Sequence, residues 1–293
     1  MLQRLSQALS CFPKQFQRET DKLTIGQQER IEEYRLRIGH PPKVMITGEE
    51  RILYSEPLTA SQLEEIVLQA TGQAVYSASQ MLKNGFLILR GGHRLGLCGT
   101  VVYKEGKISA LKEISSLNLR IASERTGFAQ PLIHHLWTHP GSVLIVSPPG
   151  WGKTTLLRDL IFQLSTRFLW RISVCDERME LAACKDGVPQ FDLGPSTDIL
   201  SGAQKEAGIE MLLRTMNPQW IAVDEITSEQ DVIAILRASY CGVQFLATAH
   251  AMNEEELYAR PIYGDLLSAR IFRNLILIKR NRELQIKELM YHD

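Results

Sequence analysis

Residues 147–155 read S-P-P-G-W-G-K-T-T, and the rest of the chain takes its meaning from them. Ahead of this stretch Val143, Leu144, Ile145 and Val146 form a short apolar run, the mark of a buried strand. Behind it Leu156, Leu157, Leu160, Ile161 and Leu164 recur at helical spacing. Strand, glycine-bearing loop, Lys-Thr and helix together give a phosphate-loop pattern its physical content. Gly150 and Gly152 let the backbone bend so that successive N–H groups face an anion, and a helix starting near Thr154 adds the positive end of its dipole. Lys153 then reaches the β- and γ-phosphates and the Thr154 hydroxyl ligates Mg²⁺. Pro149, Gly150, Trp151, Gly152, Lys153, Thr154 and Thr155 form the expected binding segment, with ATP and Mg²⁺ as its ligands. The usual pattern opens with glycine; here that place is Ser147.

At 293 residues the chain has room for two domains. Its formal net charge is zero, which removes the simplest argument for wholesale binding to nucleic acid or to an anionic membrane. The five cysteines are odd in number and scattered, so neither a disulfide framework nor a zinc site is expected and a reducing cytosol is. No apolar run approaches the ~20 residues that span a bilayer. The opening M-L-Q-R-L-S-Q-A-L-S-C-F carries polar residues where a signal core would lie, so a cytoplasmic protein is expected. Leu2, Leu5, Leu9 and Phe12 share one helix face, read as core packing.

Residues 1–126 are expected to form a small α/β domain with antiparallel strands. Alternation from Tyr34 to Ile38 predicts a strand, Pro41-Pro42 interrupts it, and Val44–Ile46 resumes it. Gly48-Glu49-Glu50 turns the chain so that Ile52–Tyr54 pairs back. Ser61 and Glu64 have the spacing of a capping box opening a helix. A second short helix around Ser79–Lys83 is stopped by Asn84-Gly85. Gly91-Gly92 and Glu105-Gly106 separate β-rich runs, which predicts an antiparallel meander carrying Arg94 and Arg120. On the residues alone these two arginines read as surface charge or a salt bridge.

A boundary is expected near Glu124–Gly127, so that residues 127–293 form the second domain. His134, His135 and His139 have no Cys or Asp close by, and no metal site is expected there. Strands at Trp170–Cys175, Trp220–Val223, Val243–Thr248 and Leu275–Lys279 alternate with helices at Ile209–Met216 and Ser228–Tyr240. That order implies an α/β fold with a mostly parallel sheet covered by helices on both faces. Residues 184–204, rich in Asp, Gly, Pro and Ser, read as a long surface loop.

Phosphoryl transfer also needs a metal acid and a group that positions water, and open α/β sheets offer both at the carboxyl ends of strands. W-I-A-V-D-E-I supplies Asp224 for Mg²⁺ and Glu225 to polarise the attacking water. V-C-D-E-R-M-E-L ends a strand in Asp176, Glu177, Arg178 and Glu180, which is either a solvated charged turn or a second functional acid cluster. F-L-A-T-A-H-A brings Thr248 and His250 to a third strand end, where a polar group touches the γ-phosphate and reports its loss.

The order phosphate loop, acidic box, Asp224-Glu225 and T-A-H-A resembles the secretion-ATPase superfamily of type II, type IV and pilus-retraction motors. It is closer still to a sporulation branch of that superfamily, through R-L-R-I-G-H-P-P, G-G-H-R-L-G-L-C-G, I-S-S-L-N-L-R-I-A and D-L-G-P-S-T-D-I-L. The resemblance implies a RecA-like P-loop ATPase domain behind a smaller N-terminal domain, and Glu177 among the catalytic acids. It implies a cytoplasmic ATPase on the mother-cell side, peripheral to the membrane-embedded subunits of a sporulation channel that it powers or assembles. Relatives form rings, usually hexamers, in which arginines complete the nucleotide site; Arg94 and Arg120 are the candidates here. Two other functions remain open: a nucleotide-gated docking module with little hydrolysis, and a RecA-like motor on nucleic acid. The second draws on Arg270, Arg273, Lys279, Arg280, Arg282 and Lys287, although Glu283 and Glu288 dilute that run, and nucleic acid is not the expected partner.

Overall fold

The computed structural model describes residues 2–72, 82–123 and 126–289. The predicted helix at Ser79–Lys83 falls largely outside these. The chain divides into two compact units, one made of Met1–Ser123 with Cys184–Gln190, the other of Glu124–Ala183 with Phe191–Asp293. Among the described residues no helix is long and apolar enough to cross a membrane.

The first unit holds β1 (Ile31–Arg37), β2 (Lys43–Ile46), β3 (Glu49–Ile52), β4 (Phe86–Ile88), β5 (Arg94–Lys104) and β6 (Lys107–Arg120). They form one sheet in the order β3-β2-β1-β6-β5-β4, every neighbouring pair antiparallel. Alternation places Tyr34, Leu36, Leu95, Leu97, Leu117 and Leu119 in one buried core with Phe16, Leu63 and Ile66 from the helices. Leu5, Leu9 and Phe12 join the same core, so the amphipathic N-terminal face packs inward. The hairpin between β5 and β6 turns at Glu105 (φ 52°) and Gly106 (φ 74°), two left-handed residues whose twist suits the flanking strands.

The helix expected to open at Ser61 spans Ala60–Ala70, with Thr59 as its N-cap. The Thr59 hydroxyl accepts from Gln62 N–H at 3.3 Å and the Gln62 amide oxygen accepts from Thr59 N–H at 2.9 Å. Thr59-x-x-Gln62 meets the same capping rule two residues earlier, and nothing local in the sequence separates the two candidates.

The second unit contains β7 (Ser142–Val146), β8 (Ile172–Asp176), β9 (Thr197–Ser201), β10 (Trp220–Val223), β11 (Gln244–Ala249), β12 (Phe272–Ile278) and β13 (Leu284–Glu288). The sheet order is β13-β12-β7-β11-β10-β8-β9, parallel throughout except for β13 on its edge. The central strands β7 and β10 are buried along their whole length, and apolar but for Ser142, because both sheet faces are covered. Two features correct the loop expected at 184–204. Thr197–Ser201 is an edge strand paired to β8, and its T-D-I-L-S sequence is half-buried at every position, so it lacks strand alternation. Residues 184–190 belong to the first unit, where the Gln190 side chain accepts from Gly91 N–H at 2.9 Å.

In the basic C-terminal stretch, Arg273 pairs with Glu288 at 2.7 Å and Lys287 with Glu254 at 2.7 Å. These are exposed ion pairs on a solvated face, worth little to stability.

The helix Lys205–Met216 lies over β8 with Gly208 at the contact: a Cβ there would sit 2.4 Å from Cys175 Sγ. Gly208→Ala should therefore lower stability by about 1–2 kcal/mol net, overpacking outweighing the better helix propensity of alanine. The double variant with Cys175→Ala should recover most of it in a thermal melt. A Gly208→Ala melt equal to wild type would contradict this packing.

Candidate functional site

β7 runs buried to Val146 and hands the chain to the loop at Ser147, itself 1% exposed. Ser147 Oγ donates to Pro148 O at 3.1 Å, and Ser147 is not among the residues with positive φ. The loop thus has no conformational need for glycine at its head. It has that need at Gly150 (φ 78°) and Gly152 (φ 106°). Gly152 is the N-cap of the helix Lys153–Phe168 and supplies no side chain, so no cap takes the first-turn N–H groups that helix geometry leaves without partners. Pro149 and Gly150 are exposed, while Trp151, Thr154 and Thr155 are half-buried around them. This is the cradle an anion requires.

Lys153 is buried, and its ammonium donates to Ser147 O (2.9 Å), Pro148 O (3.1 Å) and His250 Nδ1 (2.9 Å). Burial pushes its pKa below the ordinary lysine value, and the Glu225 and Asp224 carboxylates push it back up. An ammonium has donors only, so His250 Nδ1 accepts. The proton of neutral His250 then sits on Nε2, which donates to Glu225 Oε1 at 2.8 Å. The other carboxylate oxygen of Glu225 carries an ion pair with Arg178. Lys153, His250, Glu225 and Arg178 thereby form one continuous polar chain.

A second cluster lies beside it. Thr154 Oγ1 donates to Asp224 Oδ2 at 2.6 Å and Thr248 Oγ1 donates to Asp224 Oδ1 at 2.6 Å. The Thr248 hydroxyl also accepts from Glu225 N–H at 2.8 Å. Sheet order explains the convergence: β11 lies between β7 and β10, with Ala249 level with Val146 and Val223 level with Ala247. The acids just past β10 and the Thr–His pair at the end of β11 thus meet at the phosphate loop. Thr248 and Arg178 matter more to this arrangement than their place in the sequence suggested. The T-A-H-A and D-E-R motifs were the available signals.

Glu177 lies outside both clusters, paired with the buried Lys205, which is also 3.5 Å from Asp231. Its neighbour Asp176 is buried and accepts three backbone N–H groups, from Glu180 (2.8 Å), Leu181 (3.0 Å) and Ala182 (2.9 Å). The acid cluster is thus an ordered turn rather than a solvated one. Arg94 and Arg120 belong to the first unit, directly opposite each other on β5 and β6. Arg94 lies 3.9 Å over the Phe86 ring, and Glu33 faces Arg120 across β1 and β6.

Among the described residues no three His, Cys, Asp or Glu converge to hold a metal. Thr154 and Asp224 fit Mg²⁺ in another way: two hard oxygen donors beside an anion cradle, the partial set this ion takes when phosphate and water supply the rest.

Residues 6–291 match the family described as Sporulation stage III, protein AA. Stage III sporulation protein AA of Bacillus subtilis (strain 168) is 33% identical over 281 residues, covering 94% of this chain and 91% of the relative. Among solved structures, the Legionella pneumophila ATPase DotB aligns with a TM-score of 0.60 at 16% identity, over 94% of this chain and 79% of that one. The pilus retraction motor PilT, solved with bound ADP, aligns with a TM-score of 0.58 at 17% identity, over 92% and 84% of the two chains. These likenesses bear on the fold: a RecA-like α/β sheet together with an antiparallel-sheet unit. With both sheets and the strand-end cluster described, the chain belongs to the sporulation stage III protein AA family, on the fold of the secretion ATPases.

Proposed function

We propose that the chain is a Mg²⁺-dependent ATPase. The observation that carries this reading is the meeting of Lys153, Thr154, Asp224, Glu225 and His250 through hydrogen bonds of 2.6–2.9 Å beside an uncapped helix N-terminus. The loop from Pro149 to Thr155 binds the phosphates, with Lys153 as its cation, and Thr154 and Asp224 hold the metal. Mg²⁺ bound there neutralises phosphate charge. Glu225 orients the attacking water, and His250 links it to Lys153, so that redirecting the lysine toward phosphate alters the hydrogen bond on the carboxylate. Glu177 acts with this site from its anchor on Lys205.

The family membership supports a place in endospore formation. There the hydrolysis cycle would power or assemble a membrane-spanning channel between mother cell and forespore, from the cytoplasmic, mother-cell side. In a homo-oligomeric ring, a hexamer, Arg94 and Arg120 would complete the site, and membrane-embedded channel subunits would be the partners.

Phosphate release by the purified chain tests this reading. Turnover with ATP and Mg²⁺ should vanish on chelation with EDTA, and the mass of the assembly should rise to a ring when ATP is added. ATP binding without release would leave a nucleotide-gated docking module. Salt-sensitive stimulation by DNA or RNA would make it a nucleic-acid motor. A strict monomer with and without ATP would remove the ring and its arginines.

A further inference from the structure

Glu225 sits just past β10 in a left-handed backbone conformation (φ 52°), its N–H fixed on Thr248 and its Oε1 on His250. A carboxylate held through one oxygen still swings about that contact. The second hold comes from β8, the neighbour of β10 in the sheet. Arg178 follows β8 by two residues, on the turn whose backbone is pinned to the Asp176 carboxylate through Glu180, Leu181 and Ala182. Met179 N–H adds a bond to Asp176 O at 3.3 Å, and Gly202 N–H another at 2.9 Å. A rigid turn therefore presents the guanidinium to Glu225 Oε2. Arg178 is 51% exposed and Glu225 17%, so this pair contributes little to folding. Its effect is geometric: the remaining lone pairs of Glu225 point in one direction.

We propose that Arg178 is the positioning residue that, with His250, fixes the Glu225 carboxylate in the orientation that aligns the attacking water. The proposal rests on reading Glu225 as the water-orienting acid. The hold is shared: the guanidinium meets Oε2 through Nη1 while His250 takes Oε1, so the two contacts together set the angle of the carboxylate. Asp176 then serves as the anchor of the Arg178 turn.

The test measures kcat, KM and the affinity for a fluorescent ATP analogue in wild type, Arg178→Ala, Arg178→Gln, Arg178→Lys, Glu225→Gln and the double variant of Arg178→Ala with Glu225→Gln. Arg178→Ala and Arg178→Gln should lose about 10²-fold in kcat, the scale of a catalytic group left misaligned, with KM and analogue affinity unchanged. Millimolar guanidinium should restore part of the Arg178→Ala rate and none of the Glu225→Gln rate. Arg178→Lys should stay close to Arg178→Ala, and the double variant should be no slower than Glu225→Gln alone. Unchanged kcat in Arg178→Ala, raised kcat, or a raised KM at constant kcat would each overturn the assignment, the last by making Arg178 a nucleotide-binding group. Full activity in Glu225→Gln overturns the reading beneath it as well; loss there with full activity in Arg178→Ala overturns this assignment alone.

Discussion

Glu225→Gln should lower ATP turnover about 10³-fold, or about 4 kcal/mol of barrier, and leave ATP binding intact. The amide keeps the size of the carboxylate and still accepts from His250 Nε2, so the 2.8 Å contact survives. It loses the negative charge that pairs with Arg178 and that, on the proposed reading, polarises water. Lys153→Ala gives the opposite pattern. Removing the buried ammonium leaves Ser147 O, Pro148 O and His250 Nδ1 without their donor and takes the cation from the phosphate loop. Binding and turnover should fall together. Phosphate release and fluorescent-analogue titration, run side by side on the two variants, separate the roles; two variants with the same binding defect would contradict them.

The second large effect concerns acid. His93 is fully buried in the first unit; its Nδ1 accepts from Ala122 N–H at 3.0 Å, and its Nε2 has no partner among the described residues. Burial, reinforced by the positive charge of Arg4, brings its pKa down to about 4 from the ordinary 6.5. The unfolded chain thus takes up this proton as pH falls through 6.5, and the folded chain only near 4. Stability is fully present above that window, falls through it, and levels off below it, by about 3 kcal/mol in total. Trp137, Trp151, Trp170 and Trp220 all lie in the second unit, so tryptophan fluorescence misses the change. Hydrogen exchange at the amides of Leu95, Leu117 and Leu119 reads it instead. His93→Asn, which keeps an acceptor for Ala122, should flatten the pH dependence; equal slopes for the two proteins would refute it.

The phosphate loop and its neighbouring strands were legible because each carries a local rule. Val143–Val146 and Trp220–Val223 are unbroken apolar runs, as strands buried on both faces must be. The meeting of Lys153, Thr154, Asp224, Glu225 and His250 was legible through strand order alone. Thr197–Ser201 was illegible because an edge strand half-buried at every residue shows neither alternation nor an apolar run. The turn at Asp176 escaped because its order comes from three backbone donors, and residue type does not encode that acceptor role. Thr248 was named at its strand end, but its double bond was not legible, because a hydroxyl serving two partners at once is visible only when β10 and β11 are side by side. Ser147, the one departure from the usual loop, is explained by its backbone: the head of this loop is an extension of β7.

Residues 184–190 have a consequence for biosynthesis. They complete the first unit from a point sixty residues after its main run ends at Ser123, with Lys185 Nζ reaching Ala70 O at 3.5 Å and Gln190 capping Gly91. A nascent chain therefore cannot finish its N-terminal half first, as vectorial synthesis ordinarily allows. By the time Gln190 leaves the ribosome, β7, the phosphate-loop helix and β8 have already emerged. The phosphate loop is exposed to the cell before the first unit has its last contacts, and any chaperone acting at that stage meets a half-assembled protein.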